Sequence, residues 1–343
     1  MPDPRDPAAD LRRIAFLLEA ASEPTFRVRA FRSAAATVDR TGSAELAYRV
    51  ERDTLRELPG IGEVLARTIA ESVRGEEPVY LRRLEATGGR PVAELGAALL
   101  AALRGDCHVH SDWSDGGSPV REMAEAARGL GHEYMVLTDH SPSLKVANGL
   151  SAERLERQLG EVAQLNAELA PFRILTGIEV DIGPDGSLDQ DPALLSRLDL
   201  VVGSVHSELR MAEGPMTRRL VLALANPLLD VLGHVTGRMV AGNRRRPPST
   251  FDAEIVFAAA TRFDKAIEVN ARPERLDPPK RLLRLAVEAG CRMSIDSDAH
   301  APGQLAWLPH GCDRAAACGV PEGSVVNAMG ADRLRAWAAA HES

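Results

Sequence analysis

Histidine and carboxylate side chains recur at the ends of short apolar runs in the second part of this 343-residue chain. Six of the nine histidines occupy such positions, together with acidic residues and one asparagine. The full set is His108, His110, Asp139, His140, Glu179, Asp181, His206, His234, Glu268, Asn270, Asp298 and His300. Imidazole and carboxylate together suit zinc, manganese or iron. Because no cysteine belongs to this set, a closed structural zinc site is not expected.

The apolar runs alternate with helix-length segments, a pattern that predicts parallel strands joined by helices. Seven runs qualify as strands, near 106–110, 134–140, 173–181, 198–207, 230–235, 265–270 and 292–300. The carboxyl ends of parallel strands converge on one face, so we expect the polar side chains there to face one another. One such histidine is usually a hydrogen-bonded core residue. Six of them, together with Asp115, Glu179 and Asp298, indicate a pocket that two or three metal ions share.

Residues 10–102 read differently, as helices and turns without a convincing strand. We expect Asp10 to cap a first helix and Gly42 to end a second helix that starts near Thr25. The stretch LPGIGEVLARTIAE follows, with a tight turn at Gly60, Ile61 and Gly62. Such a hairpin can direct backbone N–H groups and a helix N-terminus at a DNA phosphate. The basic side chains of the second helix are further candidates for DNA contact: Arg27, Arg29 and Arg32.

Composition and charge restrict the class of protein further. Hydrophobic residues make up 45% of the chain, an ordinary globular share, and no apolar run reaches the length of a membrane span, so we expect a cytoplasmic protein with no membrane partner. The four cysteines are scattered, which argues against a disulfide framework. Residues 1–104 are neutral overall, so the net charge of −8 falls in residues 105–343. This acidic part must either hold cations or receive its substrate from another part of the chain.

Seven segments in the second part resemble the polymerase and histidinol phosphatase (PHP) domain, in particular the one at the C-terminus of bacterial family X DNA polymerases. They are DCHVHSDWSDG, LTDHS, GIEVDI, VGSVHS, LGHVTGR, EVNARPERLD and DSDAH, spread over about 105–330. The resemblance implies a distorted seven-stranded β/α barrel that holds three divalent ions, which could be zinc, manganese or iron. It implies one ion on His108, His110, Glu179 and Asp298, a second shared by Glu179 with His206 and His234, and a third on Asp115, His140 and His300.

The first part, residues 1–90, resembles the small N-terminal domain of family X polymerases. We therefore predict a helix-hairpin-helix DNA-binding domain at 1–90, a linker helix at 91–104 and a phosphoesterase domain at 105–343. The polymerase palm that should separate the two domains is missing, so no nucleotide incorporation is expected. Family members with lyase activity carry a lysine in the helix after the hairpin, where this chain has Thr68. The lysines of this chain are Lys145, Lys265 and Lys280, and none lies in the N-terminal domain.

These observations predict a metal-dependent phosphoesterase that acts on DNA 3′ ends, as an exonuclease, a 3′-phosphatase or an abasic-site nuclease. Paired ions can activate water and stabilise the charge that develops at phosphorus. Glu179 and Asp298 are the predicted catalytic carboxylates, and Arg238 and Arg275 are candidates for gripping phosphate oxygens. One alternative is a small-molecule phosphomonoesterase of the histidinol phosphatase type. Another is a DNA-binding accessory protein with a structural metal site. The sequence indicates no oligomeric state.

Overall fold

The computed structural model of this chain describes residues 5–87, 91–242 and 245–342. The chain divides into two compact units, Met1–Pro91 and Val92–Ser343. The described residues of the first unit are helical, and the second unit combines parallel strands with helices, which confirms the predicted fold class. Every helix in the described ranges is too short or too polar to cross a lipid bilayer.

The first unit is built around its amphipathic first helix. The helices in its described residues are α1 (Pro7–Ala20), α2 (Thr25–Thr41), α3 (Ser43–Glu51), α4 (Glu63–Val73) and α5 (Val79–Thr87), with a 3₁₀ turn at Leu55–Glu57. Leu11, Ile14 and Leu18 recur at helical spacing on α1 and are fully buried. This face packs against α2, α4 and α5. Gly42 ends α2 with a φ of 77°, as predicted.

The predicted cap of α1 is wrong by one turn. The helix starts at Pro7, and the Asp6 carboxylate accepts the N–H groups of Ala8 at 2.9 Å and Ala9 at 3.2 Å. Asp10 lies inside the helix, where its carboxylate accepts hydrogen bonds from the Arg5 guanidinium and the Ser72 hydroxyl. Both aspartates satisfy the residue preference of a cap. Proline at the first helical position favours the earlier start, because its missing N–H needs no partner there.

The second unit is a β/α barrel. Its strands are β1 (Gly105–Val109), β2 (Tyr134–Leu137), β3 (Arg173–Asp181), β4 (Leu200–Ser204), β5 (Val231–Leu232), β6 (Ala266–Asn270) and β7 (Arg292–Asp296). Its described helices are α6 (Ala97–Ala102), α7 (Val120–Gly129), α8 (Ala152–Leu169), α9 (Pro192–Leu195), α10 (Glu213–Leu224), α11 (Ala253–Arg262), α12 (Lys280–Glu288), α13 (Leu308–Ala317) and α14 (Ala331–Ala339). The strands are almost wholly buried, because helices cover the outside of the sheet.

Each strand pairs in parallel with the next strand in sequence, so the spatial order is β1 to β7. The ring is nearly closed by a parallel bridge between Val109, at the end of β1, and Ala299, just after β7. The Asp296 carboxylate also accepts the Cys107 N–H across this seam, at 2.9 Å. All seven carboxyl ends therefore lie at the same end of the barrel.

The segment that enters the barrel packs against it. Leu99 and Leu103 are buried in the main hydrophobic core of the second unit. The N–H groups of Leu95 and Gly96 donate to the Asp313 carboxylate at 2.9 and 2.8 Å. The predicted boundary at Arg90 lies outside the described residues.

Candidate metal centre

The polar side chains at the strand ends meet in one buried cluster. His108 comes from β1 and Glu179 from β3, and the other members follow a strand or lie on the loop after it. The Glu179 carboxylate lies at the middle of this cluster. Its Oε2 is 3.4 Å from His108 Nε2, 3.6 Å from His110 Nε2 and 2.8 Å from His140 Nδ1. Its Oε1 is 3.4 Å from His206 Nε2 and 3.0 Å from His234 Nε2.

The cluster continues toward solvent through Asp115. Its Oδ1 is 3.5 Å from His140 Nε2 and 3.4 Å from His300 Nε2. The His300 ring stacks on the His110 ring with centroids 4.2 Å apart. Because the Asp115 side chain is 37% exposed, this is the side from which a substrate can enter.

Asp298 also belongs to the cluster. Its carboxylate lies 3.6 Å from His110 Nε2 and 3.0 Å from the Arg275 guanidinium. The backbone of Asp298 has a φ of 53°, which is uncommon for a residue other than glycine. Such strain concentrates at functional sites, and here it directs the side chain into the cluster.

Three subsets of these residues have ligand atoms close enough to hold a metal ion, with all atoms of a subset within 4.8 Å of one another. The subsets are His108, His110 and Glu179; His140, Glu179 and His206; and His110, Asp115, His140 and His300. They differ from the expected grouping, because His110 and His140 each contribute to two subsets and neither His234 nor Asp298 belongs to one. Glu179 likewise belongs to two, so neighbouring ions would share it.

Several buried atoms of the cluster have no hydrogen-bond partner among the described residues. They are His108 Nε2, His140 Nδ1, Glu179 Oε2, His234 Nδ1 and both ring nitrogens of His110 and His206. Buried polar atoms in proteins are almost always hydrogen-bonded, so this convergence is not expected of a core that serves only packing. The donor set of imidazole and carboxylate fits divalent transition metals, whose coordination would satisfy these atoms.

Carboxylates outside the cluster hold its histidines in position. His108 Nδ1 lies 2.6 Å from Glu268 Oε1, which leaves Nε2 facing Glu179. For His206 the contact is through the backbone: Asp181 Oδ1 accepts the His206 backbone N–H at 3.0 Å and lies 3.4 Å from Nδ1 without a hydrogen bond to the ring. A carboxylate on the far nitrogen fixes the tautomer and orientation of a metal-binding imidazole. The sequence placed Glu268 and Asp181 at strand ends but gave no indication of this role.

Asp139 performs a related task for the loop that carries Asp115. Its carboxylate accepts the Ser111 N–H and hydroxyl, the Ser114 N–H and hydroxyl, and the Gln158 amide. With this many donors the side chain is fully occupied. Asp139 therefore positions the loop and does not offer a ligand atom.

Negative charge in the cluster raises the pKa of two histidines. Burial lowers the pKa of His206, but the charges of Glu179 and Asp181 outweigh burial and raise it to about 9. Burial likewise lowers the pKa of His108, and Glu268 and Glu179 raise it well above its usual value. Each of these histidines must lose a proton before its second nitrogen binds a metal, so metal binding here releases protons.

Other members of the cluster shift in the opposite direction. Burial lowers the pKa of His110 well below its usual value, and the neighbouring imidazoles add to this effect. Burial would raise the pKa of Glu179, but His140 and other imidazoles hold it well below its usual range. Arg272 and Arg275 do the same for the pKa of Asp298, again against the effect of burial. Both carboxylates are therefore charged at neutral pH, as metal ligands must be.

The two predicted phosphate-binding arginines occupy different surroundings. Arg275 reaches Asp298, and its Nη1 is buried without a hydrogen-bond partner among the described residues. Arg238 donates from Nε to the Arg275 carbonyl at 3.1 Å and from Nη2 to the Leu276 carbonyl. In the structure Arg238 thus supports the loop that carries Arg275. Direct phosphate contact by Arg238 stays a prediction.

A third arginine at the centre was not singled out from the sequence. Arg272 Nη1 lies 3.1 Å from His300 Nδ1 and 3.6 Å from Asp298 Oδ1. It stands three residues before Arg275 on the same loop, in the segment EVNARPERLD. That proximity was the only available signal, because charge alone does not show which arginine of a loop points inward.

The predicted hairpin has the geometry that close phosphate approach requires. Gly60 has a φ of 76°, in the left-handed region, and Ile61 is buried. A Cβ added at Gly62 would meet no atom within 4 Å, so the surface beside it is open. Gly62 is the N-cap of α4 and supplies no side chain to its first turn. The first N–H groups of α4 are therefore available to an anion.

The three arginines predicted to contact DNA differ in exposure. Arg32 forms a two-point ion pair with the buried Glu19, at 2.7 and 2.8 Å, and is itself only 18% exposed. Arg27 donates to Glu23 and to the Tyr80 hydroxyl. Arg29 is exposed and forms no ion pair among the described residues. Arg29 is thus the most accessible of the three.

Thr68, at the position of the expected lyase lysine, is buried inside α4. Its hydroxyl donates to the Val64 carbonyl at 2.9 Å, one turn earlier in the helix. The side chain therefore serves the helix and presents no group to solvent.

Comparison with known proteins agrees with this geometry. Residues 106–272 match the PHP domain family, and residues 3–77 match a helix-hairpin-helix domain family. A DNA polymerase/3′-5′ exonuclease PolX of Bacillus subtilis is 45% identical over 201 residues, which are 59% of this chain and 35% of that protein. The chain thus spans about a third of the length of this relative.

A second relative is covered over most of its length. A probable phosphatase of Acetivibrio thermocellus is 32% identical over 205 residues, which are 57% of this chain and 78% of that protein. Among solved structures, a histidinol phosphate phosphatase from Lactococcus lactis, determined with zinc, L-histidinol and phosphate, aligns with a TM-score of 0.46 and 21% identity. That alignment covers 64% of this chain and 94% of the other.

Proposed function

The chain belongs to the PHP domain family and is a metal-dependent phosphoesterase, and from this premise we propose that its substrate is the 3′ end of a DNA strand. The reaction would be that of an exonuclease, a 3′-phosphatase or an abasic-site nuclease, as in the repair of DNA ends. We assign DNA binding to residues 1–90, the linker to 91–104 and hydrolysis to 105–343.

The convergence of unpartnered imidazole and carboxylate atoms around Glu179 is the observation that carries the hydrolytic part of the proposal. Nine side chains would hold up to three divalent ions of zinc, manganese or iron: His108, His110, Asp115, His140, Glu179, His206, His234, Asp298 and His300. Such ions supply activation of water and stabilisation of charge on phosphate. Glu179 would balance the charge of two neighbouring ions, and Asp298 would complete the set.

The residues of the chain itself would orient the phosphate. Arg275 has a buried Nη1 without a partner next to Asp298, so a phosphate oxygen bound there would satisfy it. Arg238 would contribute by holding the Arg275 loop, whose carbonyls it binds.

The helix-hairpin-helix match and the open hairpin at Gly60, Ile61 and Gly62 support DNA as the substrate. Backbone N–H groups at that hairpin would bind a backbone phosphate without regard to base sequence. Among the arginines of α2, Arg29 would add a contact to a DNA phosphate. Arg27 and Arg32 would contact DNA only after breaking their hydrogen bonds to Tyr80 and Glu19.

The acidic charge of residues 105–343 favours a second candidate, a phosphomonoesterase for a small substrate that carries an amine. In that case the N-terminal region would only pack or mediate association. The two candidates share the metal centre and differ in what reaches it.

A comparison of substrates on the full-length, metal-loaded protein separates them. The substrates are DNA with a 3′-phosphate, DNA with a 3′-hydroxyl, abasic DNA and histidinol phosphate. We expect kcat/KM on at least one DNA substrate to exceed that on histidinol phosphate by about tenfold or more. The Asp298→Asn variant, which should lose activity on all four, controls for contaminating nucleases. Hydrolysis of histidinol phosphate alone would replace the DNA proposal with the second candidate.

A further inference from the structure

Two loops at the mouth of the barrel start at candidate metal ligands and are tightly closed. The loop after β2 leaves at His140 and returns to it, since the Leu150 N–H donates to the His140 carbonyl at 2.7 Å. The loop after β1 carries Asp115 and closes through the Asp112 N–H and the Ser118 carbonyl at 2.9 Å. Side chains on these loops therefore border the entrance on the Asp115 side.

Arg154, near the start of α8, joins the two loops. Its Nη1 donates to the carbonyls of Asn148 and Gly149, at 2.6 and 3.1 Å, and its Nη2 donates to the Trp113 carbonyl. The approach at Gly149 is so close that an added Cβ would lie 1.9 Å from the Ser141 carbonyl oxygen. The loop after β2 is thus tightly closed on itself, and the Arg154 guanidinium ties it to the loop after β1.

Three positive charges lie on this joined surface, which we call the cationic rim and define as Lys145, Arg154 and Arg157. The guanidinium carbons of Arg154 and Arg157 lie 5.9 and 5.5 Å from the centroid of the Trp113 ring. Lys145 is exposed on the loop after β2. Among the described residues, neither Lys145 nor Arg157 forms an ion pair. Two cations of the rim are therefore free to bind an anion.

We infer that the cationic rim binds the phosphodiester backbone of the DNA strand next to the end that is hydrolysed. The inference rests on the proposed function, because it extends the same substrate away from the metal centre. Local positive charge on an otherwise acidic unit has a directional effect: it attracts a chain of phosphates and repels a small ester that carries an amine. The Trp113 indole donates its N–H to Glu161 at 2.9 Å and has the guanidinium carbons of both arginines within 5.9 Å of its ring centroid. Aromatic rings and arginines together bind single-stranded nucleic acid in other proteins.

The rim therefore determines specificity. A phosphomonoester fills only the metal centre, whereas a strand reaches both the centre and the rim. Contacts made by the rim bind the substrate and the transition state alike, so their loss should appear in KM and not in kcat.

The test compares two double variants of the full-length, metal-loaded protein. The first, Lys145→Gln with Arg157→Gln, removes the free charges of the rim. The control, Arg128→Gln with Arg262→Gln, removes two exposed charges at the C-terminal ends of α7 and α11, at the opposite end of the barrel. Both variants change the net charge by the same amount. The substrates are a single-stranded oligonucleotide and p-nitrophenyl phosphate.

For the rim variant we expect the ratio of kcat/KM on the oligonucleotide to kcat/KM on p-nitrophenyl phosphate to fall about tenfold, through KM. The slope of log KM against log salt concentration should decrease by about 0.7 for each phosphate contact that is lost. The control variant should keep the wild-type ratio and slope. If wild-type protein hydrolyses DNA and the rim variant matches the control, the inference is wrong and the proposed function stands. If wild-type protein hydrolyses no DNA, both are wrong.

Discussion

One carboxylate, that of Glu179, lies within 3.6 Å of a nitrogen of each of five imidazoles. Against the effect of burial, this carboxylate raises the pKa of His108 and His206, and the imidazoles lower the pKa of Glu179. Metal ions bound here would displace protons from those two histidines. Substitutions of these residues should therefore change the metal content of the protein as well as its rate of hydrolysis.

The Glu179→Gln variant preserves the size of the side chain and removes its charge. We expect hydrolysis to fall by about a hundredfold or more, because the charge that offsets neighbouring cations is lost. Elemental analysis should show fewer metal ions per chain than in the wild type. An active variant with full metal content would exclude Glu179 as a shared ligand.

Glu268 is buried and contacts His108 Nδ1 and the His234 N–H, and it also accepts from the Asn270 amide, which in turn donates to Asp298. The Glu268→Gln variant should weaken metal binding by about 10- to 100-fold, since the acceptor that orients the His108 ring loses its negative charge. Competition with a chelator measures this loss. Glu288→Gln, an exposed change on α12, is the matched control. Equal metal affinity in both variants would leave Glu268 without an orienting role.

His132 supplies a pH dependence far from the centre. Burial lowers its pKa to about 4, and its Nδ1 has no hydrogen-bond partner among the described residues. A histidine whose pKa is lower in the folded state destabilises that state as pH falls below its unfolded pKa of about 6.5. Between pH 7 and pH 5 this amounts to about 2 kcal/mol of unfolding free energy. Urea titrations at both pH values should show that His132→Gln loses less stability than the wild type.

The positions of the strands were predictable because short apolar runs alternate with helix-length segments along the sequence. The run at 173–181 coincides with β3, whereas the run at 230–235 contains a strand of two residues, Val231–Leu232. The local sequence pattern does not show where β5 ends, because the end of the strand is set by its pairing with β4 and β6. The cap of α1 was misplaced for a related reason, because two aspartates satisfied the same local preference and the structure uses Asp6.

The hairpin before α4 allows a test that leaves the fold intact. Gly60 has a φ of 76°, so a larger residue there would add strain of about 1 to 2 kcal/mol. Gly62 has extended backbone and open space around its Cα, so Gly62→Val should fold normally. We expect this variant to keep its melting temperature and to bind DNA more weakly, because the new side chain stands where a phosphate would approach. Unchanged affinity in a fluorescence anisotropy titration would argue against contact at the hairpin.

At the scale of the whole molecule, the segment before β1 belongs to the barrel by its packing. Leu99 and Leu103 are buried in the barrel core, and Asp313 holds the backbone at Leu95 and Gly96. The sequence predicted a helix here but not its attachment, because its acceptor, Asp313, lies more than 200 residues later. Contacts across such separations leave no local pattern.

Two fragments test this attachment. A fragment that starts at Val92 should fold, retain its metal ions and hydrolyse p-nitrophenyl phosphate. A fragment that starts at Arg104 lacks the two buried leucines and should be about 3 to 6 kcal/mol less stable, at about 1.5 to 3 kcal/mol for each. Denaturant titration of both fragments measures the difference. Equal stability would mean that the segment adds nothing to the core.

The meeting of the candidate ligand residues in one cluster was predictable, because they lie at strand ends, and their binding of metal stays a prediction. The supporting side chains were not, since Arg272 and Glu268 are recognised only by where their atoms point. A sequence shows which residues could bind a metal. It does not show which neighbouring side chains orient those metal-binding residues.

The near-closure of the barrel between β1 and β7 has a consequence for the order in which the protein is made. The group of His108, His110 and Glu179 is complete in the chain once residue 179 has been synthesised. The group of His110, Asp115, His140 and His300 draws on both ends of the barrel and cannot be complete until the ribosome has passed residue 300. In a nascent chain, the residues of the solvent-facing group would therefore be the last to be complete.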